Sequence, residues 1–143
     1  MANIVITGSN RGIGLALAQQ FAERGDSVTA VCRSSSDELE AVCDQIVTGI
    51  DVTDEASLAG LPTVLAEMLA GSVDVLINNA GLFHNESLED MDANAIRQQF
   101  EVNALAPIAL TAQLKPLLVS GSKVINITSR MGSIADNSSG QYY

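Results

Sequence analysis

The sequence predicts an α/β protein built on an open, doubly wound parallel sheet. Short apolar runs alternate with stretches of helical periodicity along the whole chain. Hydrophobic residues make up 47% of the 143 residues and aromatic residues only 3%. The core must therefore be built from Ala, Val, Leu and Ile, which suits helices packed closely on a parallel sheet. A chain of this length fits a single domain, residues 1–143.

The first half of the chain predicts three strands and three helices. An apolar run at 4–6 is the first strand, and Ile13, Leu17 and Phe21 recur at helical spacing after it, with Gly25 as the stop. A second strand is predicted at 28–32, a short acidic helix at 37–43 and a third strand at 46–50. The third helix follows the segment DVTDEAS.

In that segment Thr53 or Asp54 can cap a helix that runs to about Leu69, with Pro62 as a candidate kink. A fourth strand is predicted at 73–78 and is ended by NNAG. A long helical region covers 92–118, divided in two because of Pro107, and a fifth strand covers 123–128.

Ligands of doubly wound sheets bind beyond the carboxyl ends of the strands. In this sequence the residues with binding chemistry directly follow the predicted strands. They are Gly8–Gly14, Arg33, Asp51, 79–81 and Ser129.

Charge and composition exclude several classes of function. The net charge of −10 would repel nucleic acid and anionic lipid, and no basic cluster offsets it. The uncharged run 102–114 is too short to span a bilayer, and the first residues lack a basic start with an extended apolar stretch. Cys32 and Cys43 have no metal-ligand spacing. We therefore expect a cytoplasmic protein with reduced thiols and no metal, and neither nucleic acid nor membrane as a partner.

The turn VITGSNRGIG places Gly8, Gly12 and Gly14 between the first strand and the first helix. Glycines in such a turn allow a tight bend, close approach of backbone to a phosphate and close packing of helix on strand. The first turn of the helix directs free N–H groups and the positive end of its dipole toward a bound pyrophosphate. The turn therefore predicts a dinucleotide site.

Five motifs in order make the sequence resemble the short-chain dehydrogenase/reductase family: TGSNRGIG, DVTD, NNAG, VNALAP and INITS. The resemblance covers the chain from residue 3 onward, and the loop SRMGSIADNSSG resembles the C-factor-like and sniffer-like carbonyl reductases. It implies a Rossmann-like sheet with strand order 3-2-1-4-5. It also implies hydride transfer between a nicotinamide cofactor and a carbonyl or alcohol substrate, in a homo-oligomer (a dimer or tetramer).

The resemblance also implies roles for individual residues. The cofactor phosphates and the adenosine ribose would be held by Gly8, Asn10, Arg11, Gly12 and Ile13. The adenine would be held by Asp51 and Val52, and the ribose beside the nicotinamide by Asn79, Ala80 and Gly81. Asn103 would complete the catalytic group through a bound water, and Ser129 would hydrogen-bond the substrate oxygen.

Taken singly, these residues also have structural interpretations. Asp51 is equally suited to cap a helix, Asn103 is an ordinary polar residue at a helix kink, and Ser129 is an ordinary serine at a strand end. His84, just after NNAG, is either a substrate-facing residue or a solvated loop residue, and the second interpretation is preferred.

Arg33 predicts which nicotinamide cofactor binds. Enzymes that use NAD usually place an acid at the end of the second strand to accept a hydrogen bond from the ribose 2′-hydroxyl. This sequence has Arg33 there, with Arg11 in the glycine turn as a second cation and 34–36 as further hydroxyl donors. A guanidinium can bind a 2′-phosphate bidentately, so NADP(H) is preferred over NAD(H).

Members of the family reduce a carbonyl with a tyrosine acid, and a lysine four residues after it lowers the pKa of the phenol. The sequence has no lysine after Lys123, so the chain of 143 residues is expected to be catalytically incomplete. Tyr142 lies at the usual interval from Ser129, whereas the loop favours a tyrosine beyond Tyr143. The alternative function is a non-catalytic NAD(P)-binding sensor domain.

Overall fold

The computed structural model describes residues 1–69, 71–85 and 87–135. The five strands are β1 (Asn3–Thr7), β2 (Ser27–Val31), β3 (Gln45–Val47), β4 (Val73–Asn78) and β5 (Leu118–Asn126). The α-helices are α1 (Gly12–Glu23), α2 (Asp37–Glu40), α3 (Glu55–Ala59), α4 (Leu61–Leu69), α5 (Ala93–Phe100) and α6 (Ala106–Leu114). The predictions that concern Tyr142, Tyr143 and the end of the last loop lie outside the described residues.

The five strands form one parallel sheet in the order β3-β2-β1-β4-β5. This confirms the predicted doubly wound sheet and its strand order. β1 lies at the centre, where Ile4 is paired with Val28 of β2 on one side and with Val75 of β4 on the other. The chain winds outward from β1 to β3 and then returns to place β4 against β1. The reversal creates a crevice at the carboxyl ends of β1 and β4, where ligands of such sheets bind.

Each face of the sheet carries its own hydrophobic core. On one face Val5 of β1 packs with leucines of α3, α4 and α6, and on the other Ile4 and Ile6 pack with Ala18 of α1 and Leu39 of α2. The alternation along β1 follows the two-residue period of a strand, and its residues are buried because helices cover both faces. The result is a sheet between two helical layers, with its strand ends open to ligands.

The helix predicted from Thr53 or Asp54 to Leu69 is two helices. Asp54 is the cap: its carboxylate accepts hydrogen bonds from the N–H groups of Ala56 and Ser57. The chain turns at Gly60, so α3 ends there and α4 begins before Pro62. Proline is well tolerated in a first helical turn, which explains why it opens a helix instead of kinking one.

The helical region predicted at 92–118 is divided before Pro107 by a π-helical segment, Glu101–Leu105. A short 3₁₀ turn, Lys115–Leu117, then leads into β5. β5 therefore starts five residues before the predicted 123–128 and ends at Asn126. Its pairing with β4 shifts between Val73 and Val75, an irregularity that apolar periodicity does not reveal. π-helical segments occur often at functional sites, which directs attention to Asn103 within this one.

Asp26 secures the amino-terminal end of the sheet and makes stability depend on pH. Its carboxylate accepts hydrogen bonds from Ala2 N–H (2.8 Å) and Arg24 Nε (2.6 Å), which hold the pKa of Asp26 below the ordinary 3.8. A lowered pKa in the folded state stabilises the protein above the unfolded value, and this contribution is lost as pH falls through the folded pKa. We expect Asp26→Asn to reduce the loss of unfolding free energy between about pH 5 and about pH 3.

Urea unfolding at several pH values measures this, with Asp44→Asn at an exposed carboxylate as the control. An Asp26→Asn protein whose stability falls with pH as steeply as that of the wild type would contradict the assignment.

Within the described residues, no helix is both long and apolar enough to cross a membrane. Cys32 and Cys43 are free thiols in the core, and burial raises the pKa of both.

Candidate functional site

The glycine turn after β1 lies directly against the loop after β4. Gly8 has a φ of 65°, a conformation that favours glycine, and its N–H donates to Val31 O of β2. A Cβ on Gly8 would lie 2.9 Å from Cα of Ala80, closer than the backbone of the β4 loop allows. The two loops that border the crevice therefore touch through a position that tolerates only hydrogen.

Asn79 binds the glycine turn through its side chain. Its Nδ2 donates to Thr7 O (2.9 Å) and Gly8 O (3.1 Å), which joins the loop after β4 to the end of β1. A Cβ on Gly14 would lie 2.4 Å from both Asn79 Nδ2 and Gly8 O. The close approach of α1 to this amide explains why the third glycine of the motif is needed, whereas sequence reasoning assigned it only to helix–strand packing.

Thr7 is a residue of this site that the sequence analysis missed. Its buried hydroxyl accepts hydrogen bonds from Asn79 N–H (3.1 Å) and Ala80 N–H (3.0 Å) and lies 3.5 Å from Ile77 O. It therefore fixes the backbone of the β4 loop. The signal available in the sequence was a hydroxyl residue at the end of an otherwise apolar strand, and its partners lie about seventy residues away.

We expect Thr7→Val to lower the free energy of unfolding by about 2 kcal/mol, because an isosteric methyl leaves two N–H groups without an acceptor. Thr7→Ser keeps the hydroxyl and should recover most of the loss. Urea unfolding measures both variants. Equal stability of the valine and serine proteins would show that the hydroxyl does not hold the loop.

The first turn of α1, which directly follows the glycine turn, is exposed. Arg11 is its N-cap residue, with extended backbone and no side-chain cap among the described residues. The N–H groups of a first helical turn have no acceptor within the helix. Ile13, predicted to share the apolar stripe with Leu17 and Phe21, is 63% exposed. Leu17 and Phe21 do pack against the core, and Gly14 and Ala18 are the fully buried residues of the helix. The exposed start of α1 is thus open to a ligand.

Asp51 follows β3 in the chain. Its Oδ1 accepts hydrogen bonds from Thr53 N–H (2.9 Å) and Thr53 Oγ1 (2.7 Å). These bonds, and the positive charge of Arg33, lower the pKa of Asp51 despite partial burial. Asp51 is therefore an ionised, ordered carboxylate within the electrostatic influence of Arg33. Val52 beside it lines a small pocket with Ala80.

Arg33 follows β2 and its side chain is exposed. The sequence analysis predicted that the hydroxyls of all three serines, 34–36, are available as donors, but at least one of them is already used. Ser36 Oγ donates to Asn10 O (2.8 Å) and accepts from Leu39 N–H (3.2 Å), which makes Ser36 the cap of α2. The hydroxyl of Ser36 is thus already used to connect two segments of the protein.

Asn103 holds the loop after β4 from the opposite side. Its Oδ1 accepts from Leu82 N–H (2.8 Å) and its Nδ2 donates to Leu82 O (2.7 Å), so the side-chain amide pairs with both backbone polar groups of one residue. One turn earlier Gln99 Oε1 accepts from His84 N–H (3.0 Å). Two side chains of one helical face therefore fix this loop, and sequence reasoning missed Gln99.

His84 is half-buried, and its Nε2 is enclosed without a hydrogen-bond partner in the described part of the chain. The preferred interpretation of a solvated imidazole is therefore wrong, because its Nε2 is enclosed. Gln99 also holds the backbone of His84 against α5.

Ser129 follows β5 at the same edge of the sheet. The segment leaves β5 beside β4, where Ile127 N–H donates to Asn78 O (2.9 Å), and Ser129 itself is exposed. Asn78 also donates to Asn126 Oδ1 (2.8 Å), which ties the two strand ends together. Ser129 thus lies at the carboxyl end of the strand next to β4.

The sequence of this protein matches a profile of the short chain dehydrogenase family over residues 2–143. The chain belongs to the short-chain dehydrogenase family. It is 33% identical over 143 residues to a 1-hydroxy-2-glutathionyl-2-methyl-3-butene dehydrogenase of Rhodococcus sp. (strain AD45), covering 100% of this chain and 63% of the relative. It is 30% identical to a short-chain dehydrogenase, anuI, of Penicillium roqueforti, covering 92% of this chain and 57% of the relative.

Two solved structures are similar in fold to this chain. One is an NADPH-bound carbonyl reductase from chicken fatty liver, with a TM-score of 0.84 at 25% identity over 98% of this chain and 64% of that one. The other is a short chain dehydrogenase of Burkholderia cenocepacia in complex with NADP, with a TM-score of 0.80 at 28% identity over 91% and 56%. The chain therefore spans between about half and two-thirds of the length of these relatives and solved structures.

In this member of the family the predicted site residues lie around the carboxyl edge of the sheet. The glycine turn and 79–81 are in direct contact, and Asn103 joins the same loop through Leu82. Arg33 and Asp51 interact electrostatically beyond β2 and β3. Ser129 lies after β5, the strand next to β4 at the edge of the sheet. Within the described residues, no group of histidine, cysteine and acidic side chains has metal-binding geometry.

Proposed function

We propose that residues 1–143 form a dinucleotide-binding unit of an NADP(H)-dependent oxidoreductase that transfers hydride between the nicotinamide and a carbonyl or alcohol substrate. The observation that carries this proposal is the contact of the glycine turn with the β4 loop at the crevice. Gly8 and Gly14 leave no room for a Cβ, and the exposed first turn of α1 lies next to them. Such backbone suits the close approach of a pyrophosphate.

We assign the cofactor to residues around this crevice. Gly8, Asn10, Arg11, Gly12 and Ile13 would hold the phosphates and adenosine ribose, Asp51 and Val52 the adenine, and Asn79, Ala80 and Gly81 the ribose beside the nicotinamide. The exposed Ile13 and the ordered carboxylate of Asp51 support this assignment, since both are available at the rim.

NADP(H) is proposed over NAD(H) because the group after β2 is Arg33 and not an acid. The guanidinium is exposed and can donate to a 2′-phosphate bidentately. Arg11, also exposed, adds a second positive charge in the glycine turn. Two of the structurally similar proteins, quoted above, contain NADPH or NADP, which supports the same choice.

For catalysis we propose roles for Asn103 and Ser129. A bound nicotinamide supplies or accepts the hydride. Ser129, exposed after β5, would donate a hydrogen bond to the substrate oxygen, and Asn103 in the π-helical segment would position the loop 82–84 and a water. The sequence has no lysine after Lys123 to lower the pKa of a tyrosine acid, so we expect binding but little or no turnover from these 143 residues.

A non-catalytic nucleotide sensor is the second candidate. It would need the glycine turn but neither Asn103 nor Ser129, and both are present at the crevice edge of the sheet. The dehydrogenase is therefore the better supported function. The carbonyl reductase subgroup depends on the loop 129–140, of which only residues 129–135 are described.

We also propose that the protein forms a homo-oligomer. α5, the π-helical segment and α6 together expose four large apolar side chains at intervals of about one turn: Ile96, Phe100, Leu105 and Ile108. An apolar stripe of this kind suits contact with another protein surface. Sedimentation velocity of the wild type and Phe100→Ser tests this, and a monomeric wild type at micromolar concentration would contradict it.

Calorimetric titration of NADP⁺ and NAD⁺ into the chain tests the proposed cofactor. We expect NADP⁺ to bind at least about tenfold more tightly, because only it offers the 2′-phosphate to Arg33. Absence of binding by either nucleotide at millimolar concentration would contradict the proposal.

A further inference from the structure

Ser36 joins the two segments that carry the cations of the proposed NADP site. Its hydroxyl donates to Asn10 O at 2.8 Å, and Asn10 directly precedes Arg11. Ser36 itself lies three residues after Arg33. The same oxygen accepts from Leu39 N–H at 3.2 Å, which fixes its orientation at the start of α2. The hydrogen bond from Ser36 to Asn10 therefore links the loop after β2 directly to the glycine turn.

We propose that Ser36 is a positioning residue that sets the preference for the 2′-phosphate by holding the Arg33 segment against the glycine turn. The inference rests on the proposed NADP(H) function and adds a residue to it. Ser36 does not act as a phosphate ligand in this account, because its donor is already used by Asn10 O. It acts by keeping Arg11 and Arg33 at a fixed separation, so that one phosphate can meet both.

The glycine turn does not depend on Ser36 for its own conformation. Gly8 N–H donates to Val31 O, and Asn79 Nδ2 donates to the carbonyls of Thr7 and Gly8. Binding of a pyrophosphate at the start of α1 should therefore survive loss of the Ser36 bond. Only a ligand that requires both segments, a nucleotide with a 2′-phosphate, should be affected strongly.

The test compares Kd values for NADP⁺ and NAD⁺ in three Ser36 variants. Ser36→Ala removes the hydrogen bond and the cap, Ser36→Gly removes the bond with a smaller loss of capping, and Ser36→Thr retains the hydroxyl. Ser122 provides a matched control at the opposite end of the sheet: its Oγ donates to Val73 O (2.6 Å) and accepts from Val119 N–H (2.9 Å). Ser122→Ala thus removes the same two types of bond away from the crevice.

We expect Ser36→Ala and Ser36→Gly to raise the Kd for NADP⁺ by about tenfold and that for NAD⁺ by less than about twofold. Ser36→Thr and Ser122→Ala should keep the wild-type ratio. An unchanged ratio in Ser36→Gly, or equal weakening of both nucleotides, would overturn the inference while leaving the proposed function intact. A wild-type chain that binds NAD⁺ as tightly as NADP⁺, or neither, would overturn the proposed function and the inference with it.

Discussion

Gly14→Ala should lower the free energy of unfolding by about 3 kcal/mol and remove nucleotide binding. The new Cβ would lie 2.4 Å from Asn79 Nδ2 and from Gly8 O. Neither atom can move cheaply, because the amide is bonded to Thr7 O and Gly8 O, and the second atom is backbone. Relief of the clash must either separate α1 from the β4 loop or break these hydrogen bonds, and both changes deform the crevice.

Urea unfolding monitored by circular dichroism measures the effect of Gly14→Ala. Gly60→Ala is the matched control, since Gly60 has a negative φ and nothing within 4 Å of its Cβ position. It should leave stability unchanged or raise it slightly, because alanine restricts the unfolded chain. If Gly14→Ala were as stable as Gly60→Ala, the contact between α1 and Asn79 would not be as close as described.

Arg33→Asp should weaken binding of NADP⁺ by about 30- to 1,000-fold and that of NAD⁺ far less. Loss of a charged hydrogen bond and the added repulsion between a carboxylate and a 2′-phosphate together cost about 2–4 kcal/mol. The new acid would also lie in the electrostatic neighbourhood of Asp51, which Arg33 now influences. For NAD⁺ the aspartate offers an acceptor to the ribose hydroxyl, so little affinity should be lost.

Titration calorimetry with both nucleotides measures the change, and Lys115→Asp controls for the change of charge. Lys115 is exposed in the 3₁₀ turn before β5, away from the crevice. Equal losses for NADP⁺ and NAD⁺ in Arg33→Asp would show that Arg33 does not select the phosphate.

The sheet could be predicted from the sequence because each buried strand is marked by a local pattern of apolar residues. The apolar runs around Ile4 and Val28 are short and bounded by turns, and a buried strand needs little more. The start of β5 could not, because its first residues pair with Val73 through a shifted register, which depends on the neighbouring strand. The π-helical segment could not be predicted either, because its side chains follow an ordinary helical pattern. The sequence analysis therefore placed the division of the helical region at Pro107.

The candidate site was predictable where a residue type itself carries the reason. Gly8 and Gly14 stand out because no other residue fits such a turn. The sequence did not reveal the roles of Thr7, Gln99 and Ser36. Each of these side chains acts through a hydrogen bond to a backbone group that is distant in the sequence. Long-range pairings of this kind require the fold before the partner can be named.

The central claim is that a nucleotide binds at the crevice between the carboxyl ends of β1 and β4. The most direct test is a ¹H–¹⁵N correlation spectrum of the chain titrated with NADP⁺. The account predicts that the amide signals that shift most belong to the glycine turn Gly8–Gly14, to Arg33 and to Asn79–Gly81, while those of Asn3 and Ser122 at the opposite end remain in place. Shifts confined to that opposite end, or none at saturating nucleotide, would contradict the account.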